Sequence, residues 1–245
     1  MRYAYFFSLK EIIHYFLLNS TQISLVFHKR IRKGAKMKNK VKIIDKKSVV
    51  ISPECQFGEN VVVHENVVLV GECKLGDGVE IFGSTRIENC EIGAGTKIVA
   101  SMLEKSVIGT NNNIGPFSRI RPKTKTGDGV RIGNFVEIKN SSIGNGSKIA
   151  HLAYVGDADV GAGVNIGCGA IFVNYNGKTK SRIRVKDGAF IGSNCNLIAP
   201  LTIGENSYIC AGTTVTESTE KEDFVIGRVK PTVKSKRAKK YLKRD

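Results

Sequence analysis

Large apolar residues recur along this sequence at intervals of six. From Ile51 to Ile87 every step is six residues, and beyond Ile87 some steps shorten to five. A glycine often follows the apolar residue directly. These apolar positions, called ladder positions below, are Ile51, Phe57, Val63, Leu69, Leu75, Ile81, Ile87, Ile92, Ile98, Leu103, Ile108, Ile114, Ile120, Ile132, Ile138, Ile143, Ile149, Val155, Val160, Ile166, Phe172, Val185, Ile191, Leu197, Ile203, Ile209 and Val215.

This period predicts an all-β fold, a parallel β-helix. Each six-residue unit supplies a short strand with one inward aliphatic side chain, and the glycine relieves the backbone at the turn that follows. Three units close one triangular coil, so the stacked apolar residues form a continuous core. An array of α-helices is disfavoured because Val, Ile, Thr, Asn and Gly predominate and no apolar period of 3.6 persists.

The ladder is interrupted at two places. Thr126 stands where an aliphatic residue is expected, and Phe172 and Val185 lie thirteen residues apart where twelve would keep the phase. The segment 173–184 begins with the turn-forming residues Asn-Tyr-Asn-Gly, and we expect it to project as a loop. Loops on a rigid repeat scaffold commonly carry binding groups.

The formal net charge of +16 is concentrated at the two ends of the chain. Residues 1–47 hold twelve Lys and Arg and residues 230–245 hold eight, whereas residues 48–229 hold eighteen against nineteen Asp and Glu. We therefore divide the chain into a basic N-terminal extension at 1–40, a β-helix domain at 41–229 and a basic tail beyond. The nearly neutral body argues against nucleic-acid binding, and basic ends of this kind are most often solvated.

Two interpretations of the N-terminal extension stay open. Its apolar residues recur at helical spacing, so an amphipathic helix followed by a basic run could lie on a membrane surface. Alternatively, translation starts at Met37, whose following residues lead straight into the repeat. The uninterrupted apolar runs are shorter than a membrane span, and no small-residue cleavage site follows them, so we expect a cytoplasmic protein.

The six cysteines are spread along the chain without a Cys-x-x-Cys pair or a histidine at ligand spacing, so no metal site is predicted. Cys55, Cys73 and Cys195 each lie four residues after a ladder position, where a small inward side chain is expected. We interpret them as free thiols in a reducing compartment.

Candidate chemistry is concentrated between residues 133 and 176. His151 is a candidate general base, because an imidazole can take a proton from an attacking amine or hydroxyl near neutral pH. Arg121 and Lys139 are candidate phosphate ligands. A histidine held by the prism surface and ordinary solvated charges are the alternatives that these residues alone leave open. No phosphate-binding loop or dinucleotide-binding glycine motif is present.

Eight segments in order carry a resemblance to a known family. The chain resembles the acetyltransferase domains of the bifunctional glucosamine-1-phosphate N-acetyltransferase/N-acetylglucosamine-1-phosphate uridyltransferases (GlmU) over roughly residues 41–231, and the uridyltransferase half has no counterpart. The segments are IGPFSRIRP (114–122), GNFVEIK (133–139), HLAYVGDADVGAGVNIG (151–167), NYNGK (174–178), IGSN (191–194), IAPLTIG (198–204), AGTTVT (211–216) and IGRVKP (226–231).

The resemblance implies a left-handed β-helix and a homotrimer with active sites between subunits. It also implies metal-independent transfer of an acetyl group from acetyl-CoA to the amine of glucosamine 1-phosphate, a step in UDP-N-acetylglucosamine and cell-wall biosynthesis. His151 resembles the catalytic base. The implied substrate-binding residues are Arg121, Lys139, Tyr154 and Asn165, and the implied acetyl-CoA-binding residues are Cys168, Asn174, Tyr175, Ser193, Ala211 and Arg228.

Some positions depart from the family. Cys168 stands where Ala is usual, Asn176 replaces an Asp, and Phe172-Val173 is more apolar than usual. Two other functions remain: an acyltransferase for another amino acceptor, and a non-catalytic trimeric scaffold that partners a separate nucleotidyltransferase.

Overall fold

The chain folds into a left-handed parallel β-helix in a computed structural model that describes residues 41–242. Within the described residues there are thirty short strands and one 3₁₀ turn, Ala238–Lys240. The strands are β1 (Lys42–Ile43), β2 (Val50–Ile51), β3 (Gln56–Phe57), β4 (Val62–Val63), β5 (Val68–Val70), β6 (Lys74–Leu75), β7 (Glu80–Ile81), β8 (Arg86–Glu88), β9 (Glu91–Ile92), β10 (Lys97–Ile98), β11 (Met102–Glu104), β12 (Val107–Ile108), β13 (Asn113–Ile114), β14 (Arg119–Ile120), β15 (Lys125–Thr126), β16 (Arg131–Asn134), β17 (Glu137–Lys139), β18 (Ser142–Ile143), β19 (Lys148–His151), β20 (Tyr154–Gly156), β21 (Ala158–Val160), β22 (Asn165–Ile166), β23 (Ile171–Val173), β24 (Ile183–Val185), β25 (Phe190–Ile191), β26 (Asn196–Ile198), β27 (Leu201–Ile203), β28 (Tyr208–Ile209), β29 (Thr214–Val215) and β30 (Phe224–Val225).

The strands form three parallel sheets, one on each side of a triangular prism. The first sheet contains β1 and every third strand after it as far as β28, followed by β30. The second sheet runs from β2 to β29 and the third from β3 to β27 in the same way. Successive strands of the chain therefore belong to different sheets, and strands one coil apart are hydrogen-bonded neighbours.

The predicted ladder is confirmed as the core of the prism. Ladder residues pair in register along each sheet, as Val63 with Ile81 and Ile81 with Ile98. From Leu69 to Val215 each is buried, so nearly every coil adds one aliphatic side chain per sheet to the continuous core. Cys73 and Cys195 also lie inside, as predicted, while Cys55 of the first coil is half-buried.

The predicted loop is confirmed, but it is shorter than expected at both ends. Val173 belongs to β23, and Ile183 begins β24, so the loop spans 174–182. Ile183 is completely buried, which explains why the strand begins earlier than the ladder position Val185. Val160 pairs with Val185, so the coil that contains the loop is 25 residues long.

Thr126 occupies its ladder position with the side chain inside the prism, only 8% exposed. Its hydroxyl oxygen accepts a hydrogen bond from the Gly109 N–H at 3.1 Å and another from Asn112 Nδ2 at 3.3 Å. Asn112 is itself buried. Thr126 therefore supplies a hydrogen-bond acceptor to the buried amide of Asn112, which an aliphatic residue at this position could not do.

The structure describes only part of the two chain ends. The extension 1–40, with its membrane-surface and Met37 interpretations, lies outside the described residues. The described part of the basic tail contains the single 3₁₀ turn at its end. Between residues 41 and 242 there is no helix long and apolar enough to cross a membrane.

We expect Thr126→Val to destabilise the protein, although it restores the aliphatic pattern. The change leaves the Asn112 amide and the Gly109 N–H without this acceptor, which costs about 1 to 2 kcal/mol in the free energy of unfolding. Thr202→Val, the same change at an outward-facing position, should alter it by less than about 0.5 kcal/mol. Denaturant unfolding of both variants measures the difference, and a Thr126→Val protein as stable as the wild type would contradict this account.

Candidate functional site

Four candidate residues and one further residue, Asn134, lie in one row along the edge where the first and second sheets meet. Each follows a first-sheet ladder residue by two positions, and those ladder residues pair in register from coil to coil. Backbone bonds connect the row, as from Gly212 N–H to the Ser193 carbonyl at 2.8 Å. We call this set the edge row: Asn134, His151, Cys168, Ser193 and Ala211.

Arg228 continues the edge row at its C-terminal end. It follows Gly227, which stands two positions after Val225 of β30, and β30 pairs with β28. The aliphatic part of Arg228 lies across Gly212, 3.5 Å from where a β-carbon would stand. At about 4.8 Å per coil, the row from His151 to this end measures roughly 19 Å.

His151 is oriented by Asn134, a residue to which sequence reasoning assigned no role. The two pair across β16 and β19, and His151 Nδ1 lies 2.7 Å from Asn134 Oδ1. Because a carbonyl oxygen only accepts, Nδ1 carries the proton in this arrangement and Nε2 keeps its lone pair. The signal was available: the residues are seventeen apart, the length of one shortened coil.

A cluster of cations lies at the other side of the second sheet, where its strands lead into the third sheet. We call this cluster the cation patch: Arg121, Lys139 and, from the loop, Lys180. Arg121 and Lys139 each directly follow a ladder residue, and those ladder residues, Ile120 and Ile138, pair in register. Arg121 donates to the Glu137 carboxylate at 2.7 Å, which raises the pKa of the arginine. The two cations therefore occupy adjacent coils, a relation that the sequence spacing left open.

The Tyr154 ring lies over Gly156, next to the cations, because Gly156 has no side chain. Gly156 stands one coil beyond Lys139, and a β-carbon there would overlap the Tyr154 ring and hydroxyl. The phenol therefore lies along the sheet surface next to the cations. Arg121, Lys139 and Tyr154, predicted together from the resemblance, do come together in the structure.

The loop adds a third cation, Lys180, which sequence reasoning missed. Tyr175 and Lys180 pair across the loop in an antiparallel bridge. The Lys180 ammonium group lies beside that of Lys139 and lowers its pKa, with burial and the charge of Arg121 acting in the same direction. Its position depends on the path of the loop, so the only sequence signal was a lysine a few residues beyond Asn174.

Two polar groups fix the ends of the loop to the prism. Asn174 is buried and donates its amide to the Asp157 carboxylate. At the other end Arg182 forms an ion pair with Asp159 and donates to the Asn140 carbonyl at 3.3 Å. The Asn174 amide is thus engaged below the surface, while Tyr175 is exposed and donates its hydroxyl to the Gly177 carbonyl at 2.6 Å.

Asn165 is separated from the other predicted sugar contacts. It lies in β22 on the outer face of the first sheet, paired with Lys148 and Phe190. Arg121, Lys139 and Tyr154 lie on the second sheet, so one chain does not bring all four residues together. No group of three or more potential metal ligands occurs in the part of the chain that the structure describes.

The repeat and the fold of this chain both have counterparts among known proteins. The family "Bacterial transferase hexapeptide (six repeats)" matches residues 182–217, within the last coils of the prism. Among solved structures, the Bacteroides fragilis UDP-N-acetylglucosamine acyltransferase LpxA superimposes with a TM-score of 0.54 at 20% identity, covering 72% of this chain and 69% of that one. At this identity the likeness concerns the fold alone.

Sequence relatives narrow the class. The bifunctional protein GlmU of Clostridium novyi (strain NT) is 43% identical over 85% of this chain and 46% of its own length. GlmU of Geobacillus thermodenitrificans (strain NG80-2) is 48% identical over 79% of this chain and 42% of its own. The chain is therefore a hexapeptide-repeat relative of the GlmU proteins and spans about half the length of the curated relatives it matches.

We expect the Asn134 contact to decide which ring nitrogen of His151 carries the proton. In the wild type, long-range ¹H–¹⁵N correlation spectra should show a protonated Nδ1 and an unprotonated Nε2 in the neutral ring. Asn134→Ala removes the acceptor and should shift the ring towards the Nε2-protonated form. The same pattern in both proteins would contradict an orienting role for Asn134.

Proposed function

We propose that this protein transfers the acetyl group of acetyl-CoA to the amine of glucosamine 1-phosphate, giving N-acetylglucosamine 1-phosphate. The observation that carries the proposal is that the edge row, which contains His151, and the cation patch lie at the two sides of one sheet, with Tyr154 between them. Similarity to the GlmU proteins supports this assignment, and so does the transferase repeat.

His151 Nε2 is suited to act as the general base. As the sugar nitrogen attacks the thioester carbonyl, the new C–N bond forms and the C–S bond breaks. The amine proton passes to Nε2 and from there to the departing sulfur, so the charges balance without a metal ion. The Asn134 carbonyl stabilises the doubly protonated imidazole through the Nδ1 hydrogen bond.

The edge row fits the donor by its length and composition. The arm between the thiol and the diphosphate of CoA has about thirteen bonds and spans roughly 15 Å at the extension of a peptide chain. That length matches the distance of roughly 19 Å from His151 to the Arg228 end of the row, with room for the phosphates. Cys168, Ser193 and Ala211 present small side chains and backbone along the way, and Arg228 supplies a cation at the phosphate end.

The cation patch fits the acceptor by charge. Arg121, Lys139 and Lys180 converge from two coils and the loop, and an uncharged sugar would not need three cations. A phosphorylated amino sugar supplies the anion that offsets their repulsion. Tyr154 lies beside them as a surface on which the sugar ring can pack.

We further propose a homotrimer with the active sites between subunits. Asn165 and the cation patch lie on different faces of one prism, so they can contact the same sugar only if neighbouring copies face each other. In this arrangement a second copy of the chain completes the acceptor site.

We expect His151→Ala to lower turnover by about two orders of magnitude or more, the usual effect of losing a general base. A thiol-release assay with acetyl-CoA and glucosamine 1-phosphate measures it. His64→Ala, which changes the other histidine of the prism, is the matched control and should keep wild-type turnover. Near-normal turnover of a folded His151→Ala protein would contradict the assignment, and a wild type inactive with this acceptor would favour another acceptor or the scaffold function.

We expect Lys180→Ala to raise KM for glucosamine 1-phosphate by about 10-fold or more, because a charge-assisted contact to phosphate is lost. KM for acetyl-CoA should stay within about twofold. Lys178→Ala removes a lysine of the same loop whose backbone N–H is held by Asn176 at 2.9 Å, and it should change neither constant. Equal effects of the two substitutions would mean that the loop contributes only general positive charge.

A further inference from the structure

Asp157 is a buried carboxylate at the root of the loop, between β20 and β21. It is 7% exposed and has a left-handed backbone conformation with φ of +51°. Asn140 Nδ2 donates to one carboxylate oxygen at 2.5 Å, and Asn174 Nδ2 donates to the other. Both oxygens are therefore occupied by neutral amide donors, one from the preceding coil and one from the loop.

The charge of Asp157 acts on the cation patch. Burial alone would raise the pKa of this carboxyl, but the hydrogen bonds from the two amides and the charges of Lys139 and Lys180 hold it below its usual value. The carboxylate is thus ionised. It lies one coil from Lys139, because Gly156 pairs with Lys139 and the Asp157 N–H donates to the Lys139 carbonyl at 3.0 Å. The negative charge of Asp157 favours the protonated form of Lys139 and so acts to raise its pKa. Lys180 lowers the pKa of Lys139 by more than this, and Arg121 lowers it by less.

We propose that Asp157 is a positioning residue that holds the ammonium groups of Lys139 and Lys180 together as one site for the acceptor's phosphate. This inference rests on the proposed function. Two ammonium groups side by side repel each other, and a fixed negative charge near them offsets that repulsion. Because the oxygens of Asp157 are already occupied by amides, the lysine N–H groups remain available for phosphate.

The same carboxylate couples the loop to the patch. Asn174, the first loop residue, is fixed by Asp157, and Lys180 is placed by its bridge with Tyr175. The charged groups that face Lys139 are Lys180 from the loop, Arg121 from the preceding coil and Asp157 from the following one. Glu137, on the strand of Lys139, is already paired with Arg121. Asp157 is thus the carboxylate through which the charge state of Lys139 can be altered selectively.

The test is the pH dependence of KM for glucosamine 1-phosphate in Asp157→Asn. Asparagine has nearly the same shape and tolerates a positive φ, as at Asn140 with φ of +48°. Without the carboxylate, Lys139 should lose its proton at lower pH, so phosphate binding weakens earlier as pH rises. We expect the alkaline limb of kcat/KM to move down by about one pH unit, with KM near the wild-type value below pH 7. KM for acetyl-CoA should stay unchanged throughout.

Asn140→Ala is the matched control, since it removes one hydrogen bond to Asp157 and leaves the charge. It should lower the melting temperature without moving the alkaline limb. Asp157→Ser, a smaller neutral side chain, repeats the test if Asp157→Asn does not fold. A profile of the neutral variants that coincides with the wild type overturns the proposal, and so does an equal shift in Asn140→Ala.

Inactivity of the wild type would count against the proposed function and not against the role of Asp157. In that event the same variants are compared by calorimetric binding of inorganic phosphate at pH 7 and pH 9. A wild-type advantage that appears only at the higher pH supports the role of Asp157. An advantage that is the same at both pH values, or none at either, overturns it.

Discussion

The in-register stacking of coils is the constraint on which the rest of this structure depends. Each ladder residue pairs with the one a coil earlier, as Ile132 does with Ile149 and Ile149 with Ile166. Any two residues at the same offset from the ladder are thereby neighbours at about 4.8 Å per coil. The hydrophobic core thus also places the functional groups: it brings Asn134 next to His151 and Arg121 next to Lys139. No long-range interaction other than strand pairing is needed to build these rows.

Most of the fold could be predicted from the sequence because the six-residue repeat fixes which residue of each strand faces the core. The ladder positions, the three-sided coil and the projecting loop are all confirmed. The loop begins one residue later than predicted because Val173 extends β23, and it ends two residues earlier because Ile183 is apolar enough to enter the core. Thr126 was visible as a break in the pattern. Its reason was not, since nothing in the six-residue period pairs Thr126 with Asn112, which lies fourteen residues earlier.

Which site residues are neighbours could be predicted only where the number of residues per coil was known. Most coils contain 16, 17 or 18 residues, the first contains 20 and the coil with the loop 25. The spacings of 12 and 30 residues that separate Lys139 and Arg121 from His151 therefore do not show which side chains are neighbours. The resemblance supplied residue types, and the structure supplied their grouping into an edge row and a cation patch. Lys180 and Asp157 lay beyond both approaches, because their roles depend on the path of the loop across the second sheet and on a left-handed backbone at residue 157.

The central claim is that donor and acceptor occupy the edge row and the cation patch and meet at His151. A crystal structure of the protein with CoA and N-acetylglucosamine 1-phosphate tests it most directly. The account predicts the CoA sulfur beside His151 Nε2, its phosphates near Arg228, and the sugar phosphate bound by Lys139 and Lys180, with Asn165 supplied by a neighbouring copy. A sugar phosphate bound away from these lysines, or a CoA arm that does not follow the edge row, would contradict the account.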